Sequence, residues 1–184
     1  IQAVKEQGAQ QLVFDLRMNP GGLLDQALKI GNMFLEEGQP IMSVEDPEEK
    51  ETFVADNQEY GDYKIDLPFA ILINEGSASA SEIIAALVQE ETDGKVIGQT
   101  SFGKGTVQSI LNSSEKGELK LTIAKWLTPQ GHWINEEGVV PDLEVEQDEL
   151  SNAILLNPEE TVQLEDTNDY VETISKLLFN LDYE

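Results

Sequence analysis

Phe69-Ala70-Ile71-Leu72-Ile73-Asn74-Glu75-Gly76, running on into Ser77-Ala78-Ser79-Ala80-Ser81-Glu82, is the stretch whose reading decides the fold. Five apolar residues in succession are strand length and call for burial. Asn74-Glu75-Gly76 ends the strand in a turn. Beyond it Ile83, Ile84, Leu87 and Val88 recur at helical spacing, which predicts a helix near 80–91. The same order occurs earlier in the chain. Gln11 to Leu16 reads as a buried strand, Met18-Asn19-Pro20-Gly21-Gly22 as its turn, and Leu23, Leu24, Ala27, Leu28, Ile30, Gly31 and Phe34 as an amphipathic helix over 23–35.

Outward from these two units the pattern changes. Residues 1–8 read as the tail of a helix closing near Gly8, and Gln39 to Val44 as a strand. The polar stretch 45–66 reads as a surface excursion with a short hairpin strand at Lys50 to Val54. Val96-Ile97-Gly98 is a short third strand. Thr106 to Leu111 and Leu119 to Ala124 flank a turn at 112–117, and the alternation of Leu119, Leu121 and Ile123 fits a hairpin covered on one face. The fold class is α/β: a three-layer core of repeated strand-turn-helix units with an antiparallel hairpin extension. After Pro141-Asp142 the chain turns acidic, with a weak helix over 169–179 carrying Tyr170, Val171, Ile174, Leu177 and Leu178.

Composition narrows the function. At 184 residues the chain holds one domain with a core. Its 36 acidic against 11 basic residues give a formal charge of -25, which excludes attraction to a phosphate backbone or a bare anionic membrane. Residues 141–184 hold 13 of those acids and one base, Lys176. Without cysteine there are neither disulfides nor thiolate metal sites. No signal peptide or spanning segment is present, and Ile1 reads as the middle of a helix, so the polypeptide is expected to extend in at least one direction.

The chemistry centres on Lys104, held in Phe102-Gly103-Lys104-Gly105-Thr106. A serine hydroxyl is a poor nucleophile until a base takes its proton, and the single histidine, His132, lies in a turn after Pro129 where it is solvated or capping. A neutral lysine can serve as that base if it is buried and lacks a carboxylate partner. Val96 to Gln108 contains no acid in a chain rich in them. Phe102 and Val107 supply apolar walls, and Gln108 can hold the amine without adding charge. The loop is otherwise a structural turn or an anion site. Ser79 suits the nucleophile, standing where the helix begins with the Ala80 N–H behind it to meet an oxyanion. Ser77 or Ser81 then caps, or Ser81, followed by Glu82, faces solvent. Gly21 or Gly22 offers a second donor, or the sequence around them is an ordinary tight turn. Arg17 either anchors that turn or is exposed. Trp126, Trp133 and Phe69 read as core or cleft walls. The lysine is not in a Gly-x-x-x-x-Gly-Lys-Ser/Thr loop, which argues against nucleotide binding.

Taken together these segments resemble the carboxy-terminal processing (tail-specific) protease family, serine endopeptidases with a Ser/Lys pair. The likeness runs through Leu12 to Gly22, Asn74 to Ile83, Gly98 to Gln108, Leu121 to Ala124, Leu127 to Gly131 and Gly138 to Asp142. It implies Ser79 as nucleophile, Lys104 as general base 25 residues later, Gln108 as the residue orienting the lysine, and Gly21, Gly22 and Ala80 as the oxyanion region. It implies protein or peptide C-terminal segments as substrate, with no cofactor and no metal. Met18 stands where relatives often have asparagine. The resemblance also implies a PDZ-like domain and an anchor or export signal before Ile1. Residues 1–145 are then a catalytic core, and 146–184 an acidic linker entering a peptidoglycan-binding-like helical domain. Such a tail would put the intact protein on the extracytoplasmic side of a Gram-positive membrane. The alternatives are a non-catalytic peptide-binding fragment and a crotonase-type acyl-CoA enzyme, whose strand-turn-helix units and glycine oxyanion holes share this architecture.

Overall fold

The computed structural model of the chain describes residues 1–113 and 117–145. In chain order the elements are α1 (Gln2–Glu6), β1 (Leu12–Asp15), α2 (Leu24–Asn32), β2 (Pro40–Glu45), β3 (Lys50–Val54), α3 (Asn57–Tyr60), β4 (Phe69–Ile73), α4 (Ala80–Glu91), β5 (Lys95–Gly98), β6 (Thr106–Ser113), β7 (Gly117–Leu127) and β8 (Leu143–Glu144). Ile1–Glu144 pack as one unit. The expected helix at 169–179 and the linker before it lie outside the described residues.

Two strand-turn-helix units do form, β1 into α2 and β4 into α4, and their strands are neighbours. β1 pairs with β4 in parallel, Leu12 opposite Phe69 and Asp15 opposite Leu72. β4 pairs with β5, Ile71 opposite Val96, and β5 with β8, giving a parallel sheet in the order β1-β4-β5-β8. Because β1 and β4 run side by side in the same direction, their C-terminal ends deliver two turns to one edge of the sheet. Ligands of open α/β sheets collect at that edge.

β1 is not buried on both faces as its apolar run suggests. It is the sheet's outer strand, and Val13 and Asp15 alternate outward while Leu12 and Phe14 turn in. Phe14, Phe34 and Phe69 stack edge-to-face with centroids 5.2 and 4.9 Å apart, which covers this end of the core.

The antiparallel part is larger than a hairpin. β2, β3, β6 and β7 make a four-stranded sheet in the order β3-β2-β7-β6, with Ser43 opposite Leu127 and Val44 opposite Trp126. The polar stretch after β2 is tied into it, since Ser43 faces Thr52 with their hydroxyls 2.9 Å apart. α4 touches both sheets and is buried on every face from Ser81 to Val88. Its neighbours in the core are Ile41, Met42, Ile71, Ile73, Val96 and Trp126. Each fully buried aliphatic side chain of this set contributes about 1.5–3 kcal/mol relative to exposure. The helix that carries Ser79 at its start is therefore held firmly in the core.

Candidate active site

Two turns are locked side by side above the parallel sheet. Asn74 leaves β4 fully buried, and its Oδ1 accepts from Met18 N at 2.8 Å and Gly76 N at 3.1 Å. The Ser77 hydroxyl donates to Leu16 O at 2.7 Å and accepts from Asn74 N at 2.9 Å. Asn19 O receives both Ala78 N at 3.0 Å and the Ser81 hydroxyl at 3.1 Å. Every link joins one turn to the other or braces the turn from within. Arg17 supports the base of this pair: its guanidinium grips Asp15 through Nε at 2.8 Å and Nη2 at 2.6 Å.

Gly21 is where the turns meet most closely. Its φ is +90°, and a Cβ there would lie 2.5 Å from Ala78 O, 2.7 Å from Ala80 N and 2.9 Å from Ser79 Cβ. Only glycine tolerates that approach and that conformation. The N–H of Gly21 is already spent on Asn19 Oδ1 at 3.0 Å. Those of Gly22 and Ala80 donate no hydrogen bond among the described residues. The two free donors beside Ser79 are thus Gly22 and Ala80.

Ser79 itself has φ 57° and ψ −116°. A non-glycine residue held there costs about 1–3 kcal/mol and persists only when its surroundings over-determine it. The strain lifts the residue out of the strand-to-helix turn at the N-terminus of α4, the placement of a nucleophile elbow.

Lys104 reaches the same place from a separate loop. Gly103 sits at φ +84° with a would-be Cβ 2.9 Å from Glu136 N, so the loop lies flat on the 134–138 turn. Two indoles hold its carbonyls: Trp126 Nε1 donates to Lys104 O at 2.7 Å and Trp133 Nε1 to Gly105 O at 2.9 Å. Trp126 is buried and lines the cleft; Trp133 is half exposed and clamps the loop from outside, under the Lys125 amine at 5.7 Å. Phe102 was expected as an apolar wall and is not one. It is 63% exposed and points away from the cleft, because its N–H is drawn to Ser77 O at 2.9 Å.

Ser79, Lys104 and Gln108 line one cleft of about 390 Å³, with Gly22 and Ala80 on its wall. Its apolar part comes from Leu24, Met42, Ile83, Val107 and Trp126. Lys104 is half-buried, and its amine has no carboxylate within 4.0 Å among the described residues. No hydrogen bond joins Ser79 to Lys104, or Lys104 to Gln108, in this conformation. His132 stands elsewhere, its Nδ1 2.9 Å from Glu90 Oε1 on the far end of α4, so it forms no triad with Ser79.

Glu82 is the residue that sequence reasoning missed. Given no role from sequence, it is fully buried and bonded to both loops, and Ser81 beside it is buried too rather than solvent-facing: Oε2 of Glu82 accepts from Ser79 N at 2.7 Å and Lys104 N at 2.9 Å, and Oε1 from the Ser101 hydroxyl and Gly103 N, both at 2.6 Å. The signal was available, since Ser79-Ala80-Ser81-Glu82 has the spacing of a capping box, in which the acid three residues into a helix turns back to the cap N–H.

Residues 1–145 match the profile of peptidase family S41, and the chain belongs to that family. Over 185 aligned residues it is 37% identical to the carboxy-terminal processing protease CtpA of Bacillus subtilis, covering 100% of this chain and 39% of that protein. The chain therefore spans about two fifths of the length of that relative. Among solved structures it is similar to a photosystem II D1 C-terminal processing protease, at TM-score 0.68 and 30% identity over 78% of this chain and 36% of that one. A lipoprotein from Streptococcus agalactiae shares the fold at TM-score 0.66 and 18% identity, over 94% of this chain and 57% of that one.

Proposed function

We propose that the intact protein is a serine endopeptidase that cuts proteins near their C-termini, with Ser79 as nucleophile and Lys104 as base. One observation carries this reading: a strained serine at a helix N-terminus and a lysine amine without a carboxylate partner open into one cleft from two separate loops. Neutral Lys104 takes the Ser79 proton as the hydroxyl oxygen attacks the scissile carbonyl. Gly22 and Ala80 N–H stabilise the tetrahedral oxyanion. The amine, now protonated, gives its proton to the leaving nitrogen, the C–N bond breaks, and an acyl ester remains on Ser79. Water, deprotonated by the same amine, attacks that ester, the bond from the acyl carbon to the Ser79 oxygen breaks, and the amine returns the proton to Ser79 as the new C-terminus leaves. Gln108 orients the lysine from the cleft wall, and the apolar pocket of Met42, Ile83 and Val107 receives an uncharged side chain of the substrate.

The resemblance of the tail and the family extends this proposal. Residues 1–145 act as the catalytic core, with the crotonase/Clp-protease-like repeat as its scaffold. Residues 146–184 lead toward a peptidoglycan-binding-like domain, and the intact protein works on the extracytoplasmic side of the membrane. Among the described residues no helix is long and apolar enough to cross a membrane.

A second reading, peptide binding without cleavage, is favoured by the missing Ser79–Lys104 hydrogen bond. Ser79→Ala and Lys104→Ala decide between the two. Each is expected to abolish peptidase activity of the full-length protein with the circular dichroism spectrum unchanged; activity surviving either substitution rejects the Ser/Lys pair.

A further inference from the structure

We infer that Glu82 is a positioning residue that sets the distance between nucleophile and base. The inference rests on the Ser/Lys reading above. What carries it is a convergence at one atom: the backbone amides of Ser79 and Lys104 donate to the same carboxylate oxygen, at 2.7 and 2.9 Å. Two N–H groups sharing one acceptor cannot drift apart without breaking a charge-assisted hydrogen bond. The residues are 25 apart in sequence and on different elements, and their side chains make no bond to each other. Their register is set by the backbone, through Glu82.

The other oxygen completes the device. Oε1 takes the Ser101 hydroxyl and Gly103 N, so the carboxylate grips the loop on both sides of Phe102. An ionised carboxylate offers about four lone-pair sites, and all are occupied here by donors from the two loops. That saturation explains a second feature. A buried anion lies against the backbone of Lys104, yet the Lys104 amine has no carboxylate within 4.0 Å. The charge of Glu82 is dispersed over amides and a hydroxyl, leaving the amine free to exchange a proton with Ser79. The same grip on the Ser79 N–H holds the nucleophile at its unfavourable φ of 57°.

The position is exacting. A glutamine has the same size, but its amide nitrogen cannot accept, so two of the four donors lose their partner. Glu82 is not one of the residues lining the cleft, so substrate binding is expected to be little affected.

The test is steady-state kinetics of Glu82→Gln and Ser101→Ala in the full-length protein on a peptide substrate, with folding checked by circular dichroism. A misplacement of about 1 Å costs roughly 100-fold in turnover, so Glu82→Gln is expected to lower kcat by about that factor. KM is expected to stay within about threefold, as for an interaction that matters only once the reaction is under way. Ser101→Ala removes one donor and leaves the Ser79 and Lys104 contacts, and is expected to lower kcat by about threefold to tenfold with KM unchanged. If Glu82→Gln does not fold, Ser101→Ala decides alone. An unchanged kcat in a folded variant, or a loss expressed wholly in KM, overturns the inference. Ser79→Ala is run alongside: if it stays active the Ser/Lys reading has failed, whereas an inactive Ser79→Ala with a fully active Glu82→Gln rejects the positioning role alone.

Discussion

Gly21→Ala is the substitution in which the geometry of the paired turns makes its sharpest demand. The new methyl would stand 2.5 Å from Ala78 O, 2.7 Å from Ala80 N and 2.9 Å from Ser79 Cβ, at a φ of +90°. A side chain in the left-handed region costs about 1–2 kcal/mol. Overpacking against backbone that cannot rotate away adds about 1–3 kcal/mol. The sum, about 2–5 kcal/mol, predicts a fall in Tm of at least about 4 °C for a domain of this size. The three atoms that must give way all belong to the Ser79 turn, so the effect on turnover is larger than the effect on folding, with a loss in kcat of roughly 100-fold. Gly22→Ala is the stability control next door, since a Cβ there meets nothing within 4 Å and the φ is not positive. Differential scanning calorimetry on both variants makes the comparison, with peptide hydrolysis read on Gly21→Ala against the unaltered protein. If Gly21→Ala matches Gly22→Ala in Tm and keeps full kcat, the claim that the two turns brace one another is wrong.

Other perturbations test separate parts of the fold. Trp126→Phe keeps the buried ring and deletes the 2.7 Å hydrogen bond to Lys104 O; equilibrium denaturation should show a loss of about 1–3 kcal/mol with an unchanged m-value. Leu87→Ala, in the fully buried centre of α4, should cost about 2–5 kcal/mol by the same measurement. The Lys5–Asp66 pair ties α1 to the chain ahead of β4. Hydrogen bonding to Lys5 lowers the Asp66 pKa below its ordinary 3.8, and the bond to Asp66 raises Lys5 above 10.5. The Asp66 contribution to stability is therefore present above the unfolded carboxyl pKa and is lost as pH falls through the folded one. That of Lys5 is present below 10.5 and is lost as pH rises past its folded value. An NMR titration placing the Asp66 midpoint at or above 3.8 would contradict the pairing.

Much of this arrangement is legible in the amino-acid sequence, for identifiable reasons. The strand-turn-helix units announced themselves because period and punctuation agree there: Phe69 to Ile73 is continuous and apolar, the turn residues are small, and Ile83 to Val88 keep helical spacing. Ser79 and Lys104 stand out in the sequence as candidates because each sits in a turn of small residues and no histidine is placed to pair with the serine, and both line one cleft. β8 was not legible, since two residues cannot show a period; it is held by Asp142, whose Oδ2 accepts from Val96 N at 2.8 Å and whose N–H donates to Val96 O at 2.8 Å. The exposed edge of β1 was hidden because an apolar run does not say which strands flank it. Phe102 faces outward because the backbone of its loop turns it that way, which its place two residues before Lys104 in the sequence does not reveal. Glu82 was overlooked because acidic residues are rarely fully buried unless paired, and its partners lie on a loop some twenty residues later.

The central claim is that the Ser79 oxygen becomes covalently bound to the acyl group and does so only with Lys104 present. Intact-mass and peptide-mapping mass spectrometry of the full-length protein, quenched in acid during turnover of an activated ester of a short apolar peptide, measures this directly. The account predicts an acyl adduct on the peptide containing Ser79 in the unaltered protein and none in Lys104→Ala. An adduct on any other residue, or an equal Ser79 adduct without Lys104, would contradict it.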